Sequence, residues 1–338
     1  MPGSTGVSTV VELPDPEGHG PFMKDRATTG QGQLGDRLFG GTARGAGLLV
    51  IALVTLIAVF LLSQALPALA KDKVNFLTST QWNVDGTPLQ FGIANLLWVT
   101  VLSSAIAMLI AVPLGVSVAL FITQYAPTWL SRPAASLVDL LAAVPSIVYG
   151  LWGLQVLGTH MDGVQSVLQN LFGWLPLFKD TGVGAASTIL TVAVVLSIMV
   201  LPIVTALSRE VFAQTPTSHT DAALALGATR WEMIRTAVLP FGKPGVVSAS
   251  MLGLGRALGE TIAVMIILST LADGSAWSWS MFNGGETFAS KIANNAAEFD
   301  SPKKAGAFMA AGLVLFLLTF VVNAMARVVI ERRKAFVE

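Results

Sequence analysis

Two residues of opposite charge stand alone in an apolar stretch of the C-terminal third of the chain. Between Pro244 and Ala272, Arg256 and Glu260 are the only charged residues, and they are four positions apart. On one helix this spacing places both side chains on the same face. Charges inside a membrane are costly unless they are paired or hydrated, and they usually face a cavity or the interior of a helix bundle. A guanidinium in such a cavity can bind an anion through two parallel hydrogen bonds.

A third isolated charge gives Arg256 a second possible partner. Asp139 is the only charged residue between Ala134 and Gly158, another apolar stretch. One interpretation is a substrate path in which Arg256 contacts an anion and Glu260 holds the guanidinium. The other is a buried ion pair that fixes helix packing. We favour the first and take Arg256, Glu260 and Asp139 as candidate residues of the substrate path.

The composition indicates a membrane protein. The chain has 338 residues, of which 53% are hydrophobic and 12% are charged, and its mean hydropathy is +0.69. Soluble domains carry about 25% charged residues, so the composition argues against a soluble enzyme, a disordered regulator and a nucleic-acid-binding protein. The net charge is zero, which gives no attraction to polyanions. The chain has no cysteine and three widely spaced histidines, which excludes thiolate metal sites and disfavours a histidine metal site.

Apolar windows predict an all-α membrane protein with six transmembrane helices. Each window supplies the roughly 20 apolar residues that a bilayer-spanning helix needs. Thirteen of the 20 Lys and Arg residues lie in the tails and the even-numbered loops, six lie in the odd-numbered loops, and Arg256 lies inside a span. The positive-inside rule therefore predicts that both termini are cytoplasmic. The six windows are 45–70, 93–124, 134–158, 182–208, 244–272 and 305–326.

Small residues in the fifth window predict close helix packing. Gly255 and Gly259 form a Gly-x-x-x-Gly pair, and Gly253 precedes them. This spacing lets two helices approach closely. We therefore expect the three glycines at helix–helix contacts.

The segment 209–243, between the fourth and fifth windows, is too polar to cross a membrane. Residues 221–226 favour a short helix that Gly227 ends, and residues 229–238 favour a second helix with an apolar face. The first helix has no basic face and is only weakly apolar. Docking on a partner protein therefore explains it better than contact with lipid.

This segment resembles the EAA loop of ABC importer permeases. The family pattern is Glu-Ala-Ala, three residues, Gly, nine residues, Ile, one residue and Leu-Pro. Two positions depart from the pattern, since Asp221 stands where Glu is usual and Ala237 where Ile is usual. The resemblance implies a coupling helix over 221–227 that docks on an ATP-binding subunit. The matching residues are Asp221, Ala222, Ala223, Gly227, Ala228, Leu239 and Pro240.

More of the chain resembles one branch of that family, the PstC-type phosphate permeases. Residues 140–157 (LLAAVPSIVYGLWGLQVL) look like the third helix of this branch, and residues 255–265 (GRALGETIAVM) are the most specific piece. The related PstA-type permeases usually continue Gly-Glu-Thr with Ala-Pro, which favours PstC. The resemblance implies the fold of a type I ABC importer permease over 93–332, with the coupling loop at 209–243.

The same resemblance implies an ATP-driven phosphate importer of the bacterial cytoplasmic (inner) membrane. The implied partners are a homologous PstA-like permease, two ATP-binding subunits, an extracytoplasmic phosphate-binding protein, phosphate and membrane lipid, with no nucleic acid. The chain lacks a Walker phosphate loop. We therefore expect no cofactor in this chain and ATP bound by the partner ATPase.

Other functions stay open as alternatives. A sulfate, molybdate or osmolyte permease would share the loop pattern. A secondary carrier would need internal repeats around a midplane site, and a membrane enzyme would need a catalytic set; we find neither in the sequence.

The terminal segments complete the predicted organisation. Residues 1–36 are expected to form a disordered cytoplasmic tail, because Pro, Gly, Thr and acidic residues dominate them. The first transmembrane helix and an extracytoplasmic loop are expected over 37–92, and a short cytoplasmic tail over 333–338.

Overall fold

A computed structural model describes residues 31–86, 88–271, 275, 277–299 and 301–334. The chain divides into two compact units, Met1–Ile57 and Ala58–Glu338, and all candidate functional residues belong to the second. Most of the predicted tail at 1–36 lies outside the described residues, as do the last four residues of the chain. The first helix already begins at Gln31, within the segment predicted as a tail.

Helices account for most of the described residues, together with one small antiparallel hairpin. The hairpin strands are β1 (Trp82–Asn83) and β2 (Gln90–Phe91). π-helical turns cover Phe121–Tyr125, Gly153–Leu157 and Ile234–Val238. The α-helices are α1 (Gln31–Leu69), α2 (Ala94–Leu120), α3 (Thr128–Ala142), α4 (Ser146–Trp152), α5 (Met161–Phe172), α6 (Ile189–Ala213), α7 (Thr217–Ala225), α8 (Arg230–Met233), α9 (Leu239–Leu258), α10 (Ile262–Ile267), α11 (Phe288–Asn294) and α12 (Pro302–Lys334).

Among the described residues, five helices are long and apolar enough to cross a membrane, and a sixth span is reached by counting one bent helix pair. The prediction of an all-α membrane fold is confirmed. The five helices are Gly35–Leu69, Ala94–Tyr125, Ile189–Ala213, Arg230–Leu258 and Pro302–Val328.

The third predicted span is bent sharply. Helix α3 ends at Ala142, and the helical segment that begins at Ser146 leaves at 91° to it. Pro145 lies in the break; proline donates no backbone hydrogen bond and disfavours helical geometry in the residue before it. The Tyr149 hydroxyl donates a hydrogen bond of 2.8 Å to the carbonyl oxygen of Leu141, which ties the two arms together. The predicted window is therefore not one straight helix.

The fifth span begins and ends earlier than its predicted window of 244–272. A continuous helix runs from Arg230 to Leu258, so the second half of the predicted loop belongs to this span. The π-helical turn at Ile234–Val238 stands just before Pro240, and the wider turn lets the helix continue through the proline. Beyond Leu258 the chain leaves the helix and re-enters one as α10.

Helix α6 forms the centre of the bundle. Most of its side chains are buried, and it packs against α2 on one side and α9 on the other. Gly115 allows α2 to approach closely, because a Cβ there would lie 3.0 Å from Cγ1 of Val204. Helix α6 ends next to the α7 segment, and we call that end of the bundle the coupling end.

The opposite end of the bundle is closed by the buried segment 280–283 and by the β-hairpin. The backbone amide of Ile189 at the beginning of α6 donates to the carbonyl oxygen of Asn283 (3.0 Å), and that of Leu190 donates to Met281 (2.9 Å). Phe91 of β2 and Phe308 of α12 are fully buried in a cluster beside the hairpin. The two backbone bonds hold the beginning of α6 against the segment 281–283, and the aromatic contact holds the hairpin against α12.

Candidate functional site

Arg256 lies in the last turn of α9 and lines a groove between α6, α9 and α12. The groove has a volume of about 560 Å³ and an apolar wall interrupted by three polar side chains, those of Ser248, Arg256 and Asn323. Cations are favoured in the last turn of a helix, where the carbonyl groups give a partial negative charge. The other lining residues are Ile203, Met251, Leu252 and Gly255.

The guanidinium of Arg256 has no carboxylate partner among the described residues. Three ion pairs form in that part of the chain, and Arg256 takes part in none of them. Its Nε atom is buried and has no hydrogen-bond partner. Buried polar groups normally have a partner, and a cation within a membrane span needs compensation. The Arg256 guanidinium therefore lacks, among the described residues, the anion or hydrogen-bond acceptor that would compensate its charge.

Glu260 forms no ion pair with Arg256, although the four-residue spacing predicted that Glu260 would hold the guanidinium. Helix α9 ends at Leu258, so Arg256 and Glu260 do not share one helix, and no ion pair joins them. Gly259 follows the helix, and glycine is a poor helix former. The carboxylate of Glu260 is buried and accepts a hydrogen bond from the backbone amide of Ala263 (3.2 Å), at the beginning of α10. The bond gives a partner to one of the backbone amides in the first turn of α10, which have none within the helix.

Asp139 pairs with a different arginine from the one expected. The Nη2 atom of Arg209 on α6 lies 3.4 Å from both carboxylate oxygens of Asp139 on α3. Arg209 is one turn from the end of α6, so the pair lies at the coupling end. The Asp139 side chain is 55% exposed. The sequence suggested Asp139 as a partner for Arg256; the structure assigns it to Arg209 because the bend after Ala142 turns α3 across the end of α6.

The three glycines of the fifth span differ in their surroundings. A Cβ at Gly253 would lie 2.6 Å from Cγ1 of Val200, so this glycine permits close packing of α9 on α6. Gly255 has open space around it, and Gly259 meets only the carbonyl oxygen of Gly255 at 3.5 Å. Within this chain, Gly253 lies at a helix contact and the other two do not.

The predicted coupling helix is an exposed projection at the coupling end. Helix α7 carries Asp221 and Ala222 on its surface, while Ala223 packs against the buried cluster that contains Phe212 and Met233. Leu226 directly after the helix is 90% exposed. An apolar side chain presented at the tip of an anchored helix is suited to enter a groove of a partner protein.

The turn after α7 is held by a glycine and a backbone bond. Gly227 has a φ of 83°, a conformation that side-chain-bearing residues rarely adopt. The backbone amide of Ala228 donates to the carbonyl oxygen of Ala223 (3.2 Å). The predicted helix break at Gly227 is confirmed, and it fixes the direction in which α7 projects.

A capping box begins the helix that leads back into the bundle. The Glu232 carboxylate accepts hydrogen bonds from the backbone amide and the hydroxyl of Thr229, each at 2.8 Å, and the Glu232 amide donates to the Thr229 hydroxyl at 3.3 Å. The box gives α8 a defined beginning next to the turn at Gly227.

Three residues of these sites were not among the predicted site residues. Asn323 and Ser248 are uncharged, so the charge pattern of the spans does not indicate them, but they line the same groove as Arg256. A polar amide in the window 305–326 was a signal that could have drawn attention to Asn323. Leu226 was assigned to the coupling helix without a role of its own, because exposure at a helix tip depends on the surrounding fold.

The fold and these two sites define a membrane subunit of a transport system. The sequence profile described as "Binding-protein-dependent transport system inner membrane component" matches residues 111–335, and the chain belongs to this family. The predicted membership in the importer permease family is confirmed, and the chain is an inner membrane component. It carries the family's membrane helices and contributes a permease subunit rather than a complete transporter.

Relatives with high sequence identity carry the name PstC. The chain is 53% identical over 298 residues to "Phosphate transport system permease protein PstC 2" of Mycobacterium tuberculosis, with 87% of this chain and 91% of the relative covered. It is 50% identical over 297 residues to the PstC protein of Mycobacterium leprae, with 87% and 92% covered. It is 37% identical over 311 residues to that of Mesorhizobium japonicum, with 90% and 93% covered.

A solved structure supports the fold alone. The chain matches a bacterial ABC transporter "involved in the import of the acidic polysaccharide alginate" with a TM-score of 0.53 at 15% sequence identity, and the match covers 88% of this chain and 99% of that one. Five or six apolar helices in a permease of this kind agree with the predicted type I fold.

Proposed function

We propose that this permease subunit moves phosphate across the bacterial inner membrane as part of an ATP-driven importer. The names of the relatives support phosphate as the substrate. The observation that carries the proposal is the guanidinium of Arg256, which has no ion-pair partner among the described residues and lines an open groove between α6, α9 and α12. A phosphate anion has the charge and the paired oxygens that an arginine binds best.

The groove residues have separate parts in binding. Arg256 offsets the negative charge of the anion and donates hydrogen bonds to its oxygens. The Asn323 amide can donate or accept, which suits a partly protonated phosphate. Glu260, fixed at the beginning of α10, keeps its carboxylate away from the guanidinium, so that Arg256 stays free for the substrate.

The coupling end transmits the movement of the ATPase subunits to the membrane helices. Helix α7 docks on an ATP-binding subunit with Leu226 as its apolar contact, and Asp221 and Ala222 lie on the same exposed segment. ATP binding closes the two ATPase subunits, and the coupling helices move with them as rigid bodies. The packing of Ala223 against the cluster beneath α7 passes this movement to α6 and α9.

Further partners follow from the same proposal. A homologous PstA-like permease completes the path, and a phosphate-binding protein delivers the anion at the end opposite to α7. Both termini lie on the cytoplasmic side with α7, as the distribution of Lys and Arg predicts. ATP is bound by the ATPase subunits.

The substrate is tested with the assembled importer in proteoliposomes. ATP hydrolysis is measured with the loaded phosphate-binding protein and, in parallel, with loaded sulfate- and molybdate-binding proteins. We expect stimulation by the phosphate-loaded protein alone. Stimulation by the sulfate- or molybdate-loaded protein and none by the phosphate-loaded one would overturn the substrate assignment.

A further inference from the structure

Helix α3 presents three different faces around its axis. One face is half-buried or buried against the protein and includes Val138. A second face is exposed and polar, with Arg132, Ser136 and Asp139. The third is exposed and apolar, and its members follow at helical spacing. They are Trp129, Pro133, Leu137, Leu140 and Leu141.

The position of α3 is fixed by its neighbours at the coupling end. It packs against α6 and against the π-helical turn at the end of α2. The ion pair between Asp139 and Arg209 sets its height at the last turns of α6. Its axis makes an angle of 91° with the helical segment that begins at Ser146. That segment reaches the other end of the bundle, where Gly158 lies against Ala186, just before the beginning of α6.

We propose that α3 lies in the plane of the membrane, with its apolar face in the acyl chains of the leaflet on the coupling side. A helix perpendicular to a membrane-crossing segment and level with the end of α6 runs along the bilayer surface. The apolar face is strongly exposed, with Trp129 75% and Leu137 62% exposed. Interfacial helices bury such a face about 5–10 Å into the boundary between headgroups and acyl chains.

Three observations identify lipid as the occupant of this face. Helix α3 packs against the end of the α2 span, which carries the exposed apolar residues Leu114 and Phe121, and the same leaflet must cover them. Arg132 stands beside the apolar face, where its charge suits the phosphate groups of anionic lipids. Trp129 at the beginning of the helix is of the type that anchors helices at the interface.

The depth of α3 can be measured directly because the chain has no cysteine. A spin label is placed at Leu137→Cys in the assembled importer, in vesicles of phosphatidylglycerol and phosphatidylethanolamine. Its exposure to oxygen and to a water-soluble nickel complex gives its depth. Leu109→Cys, in the middle of α2 and 75% exposed, is the deep reference. Gln214→Cys, exposed after α6, is the water reference.

The proposal predicts a shallow, lipid-exposed label at position 137. Oxygen should reach it readily, and its depth should lie between those of the two references. A label as deep as that at position 109 would show that α3 enters the bilayer core. A label exposed like that at position 214, or shielded from both reagents by a partner subunit, would equally overturn the proposal. Leu140→Cys serves as a second site if Leu137→Cys fails to assemble.

Discussion

The guanidinium of Arg209 lies 3.4 Å from both carboxylate oxygens of Asp139, and this pairing leaves Arg256 as a cation without a carboxylate partner in the described part of the chain. Arg209 and Asp139 are partly exposed at the coupling end. Arg256 is half-buried and lines the groove between α6, α9 and α12, with its Nε atom buried. We therefore expect the two arginines to have different tasks, Arg209 in joining helices and Arg256 in the proposed substrate path.

The Asp139–Arg209 pair should contribute little to stability and nothing specific to substrate binding. Partly exposed ion pairs are worth about 0–1 kcal/mol. We expect Asp139→Asn to lower the unfolding free energy by less than about 1 kcal/mol and to leave phosphate uptake near the wild-type rate. Thermal unfolding of the purified subunit and uptake by the assembled importer would measure both. A loss of uptake as large as that of an Arg256 variant would show that Asp139 belongs to the substrate path.

The packing of α9 on α6 should depend on Gly253. In Gly253→Ala the new Cβ would meet Val200 at 2.6 Å, and overpacking of this kind typically costs about 1–3 kcal/mol. We expect a lower unfolding temperature and a lower yield of folded protein. The matched variant Gly255→Ala has open space for its Cβ and should be as stable as the wild type or more so. Equal destabilisation by both changes would contradict the assigned contact.

Docking of the ATPase should depend on Leu226. Burial of a leucine side chain is worth about 1.5–3 kcal/mol, which corresponds to at least about a tenfold change in affinity. We expect Leu226→Ala to weaken binding of the ATPase subunits by that factor, measured as retention of the ATPase on the purified permease pair. Leu137→Ala is the matched control at the same end of the bundle and should retain the ATPase. Undiminished retention in Leu226→Ala would exclude this residue as the apolar contact.

The capping box at Thr229 should hold the first turn of α8. The Glu232 carboxylate accepts two hydrogen bonds from Thr229, and the Glu232 amide donates one to the Thr229 hydroxyl. Glu232→Ala removes the carboxylate that accepts the first two of these bonds. We therefore expect hydrogen exchange of the α8 amides to be faster in Glu232→Ala than in the wild type. Equal exchange rates in the two proteins would contradict the assigned cap.

The sequence predicted the elements that depend on composition and local signals. The apolar windows identified the membrane helices, and Gly227 marked the break after α7, because a glycine with a positive φ ends a helix locally. The coupling segment was recognised because its motif residues lie close together in the chain.

The bend of a helix and the pairing of side chains depend on tertiary packing, so local sequence signals did not predict them. The window 134–158 is apolar throughout except for Asp139, so its pattern gives no sign of a 91° bend; Pro145 was the one local hint. Likewise, the four-residue spacing of Arg256 and Glu260 indicates a shared face only while the helix continues. The helix stops at Leu258, and the Glu260 carboxylate accepts a hydrogen bond from the backbone amide of Ala263 instead.

The role of Arg256 is tested most directly by phosphate uptake into proteoliposomes that contain the importer with Arg256→Gln. A charge-assisted hydrogen bond is worth about 1.5–3 kcal/mol, so we predict a fall in uptake of at least about tenfold, with Arg256→Lys between the variant and the wild type. The ATPase should remain bound, since the coupling end is unchanged. Uptake at the wild-type rate by a fully assembled Arg256→Gln importer would contradict the placement of this arginine in the substrate path.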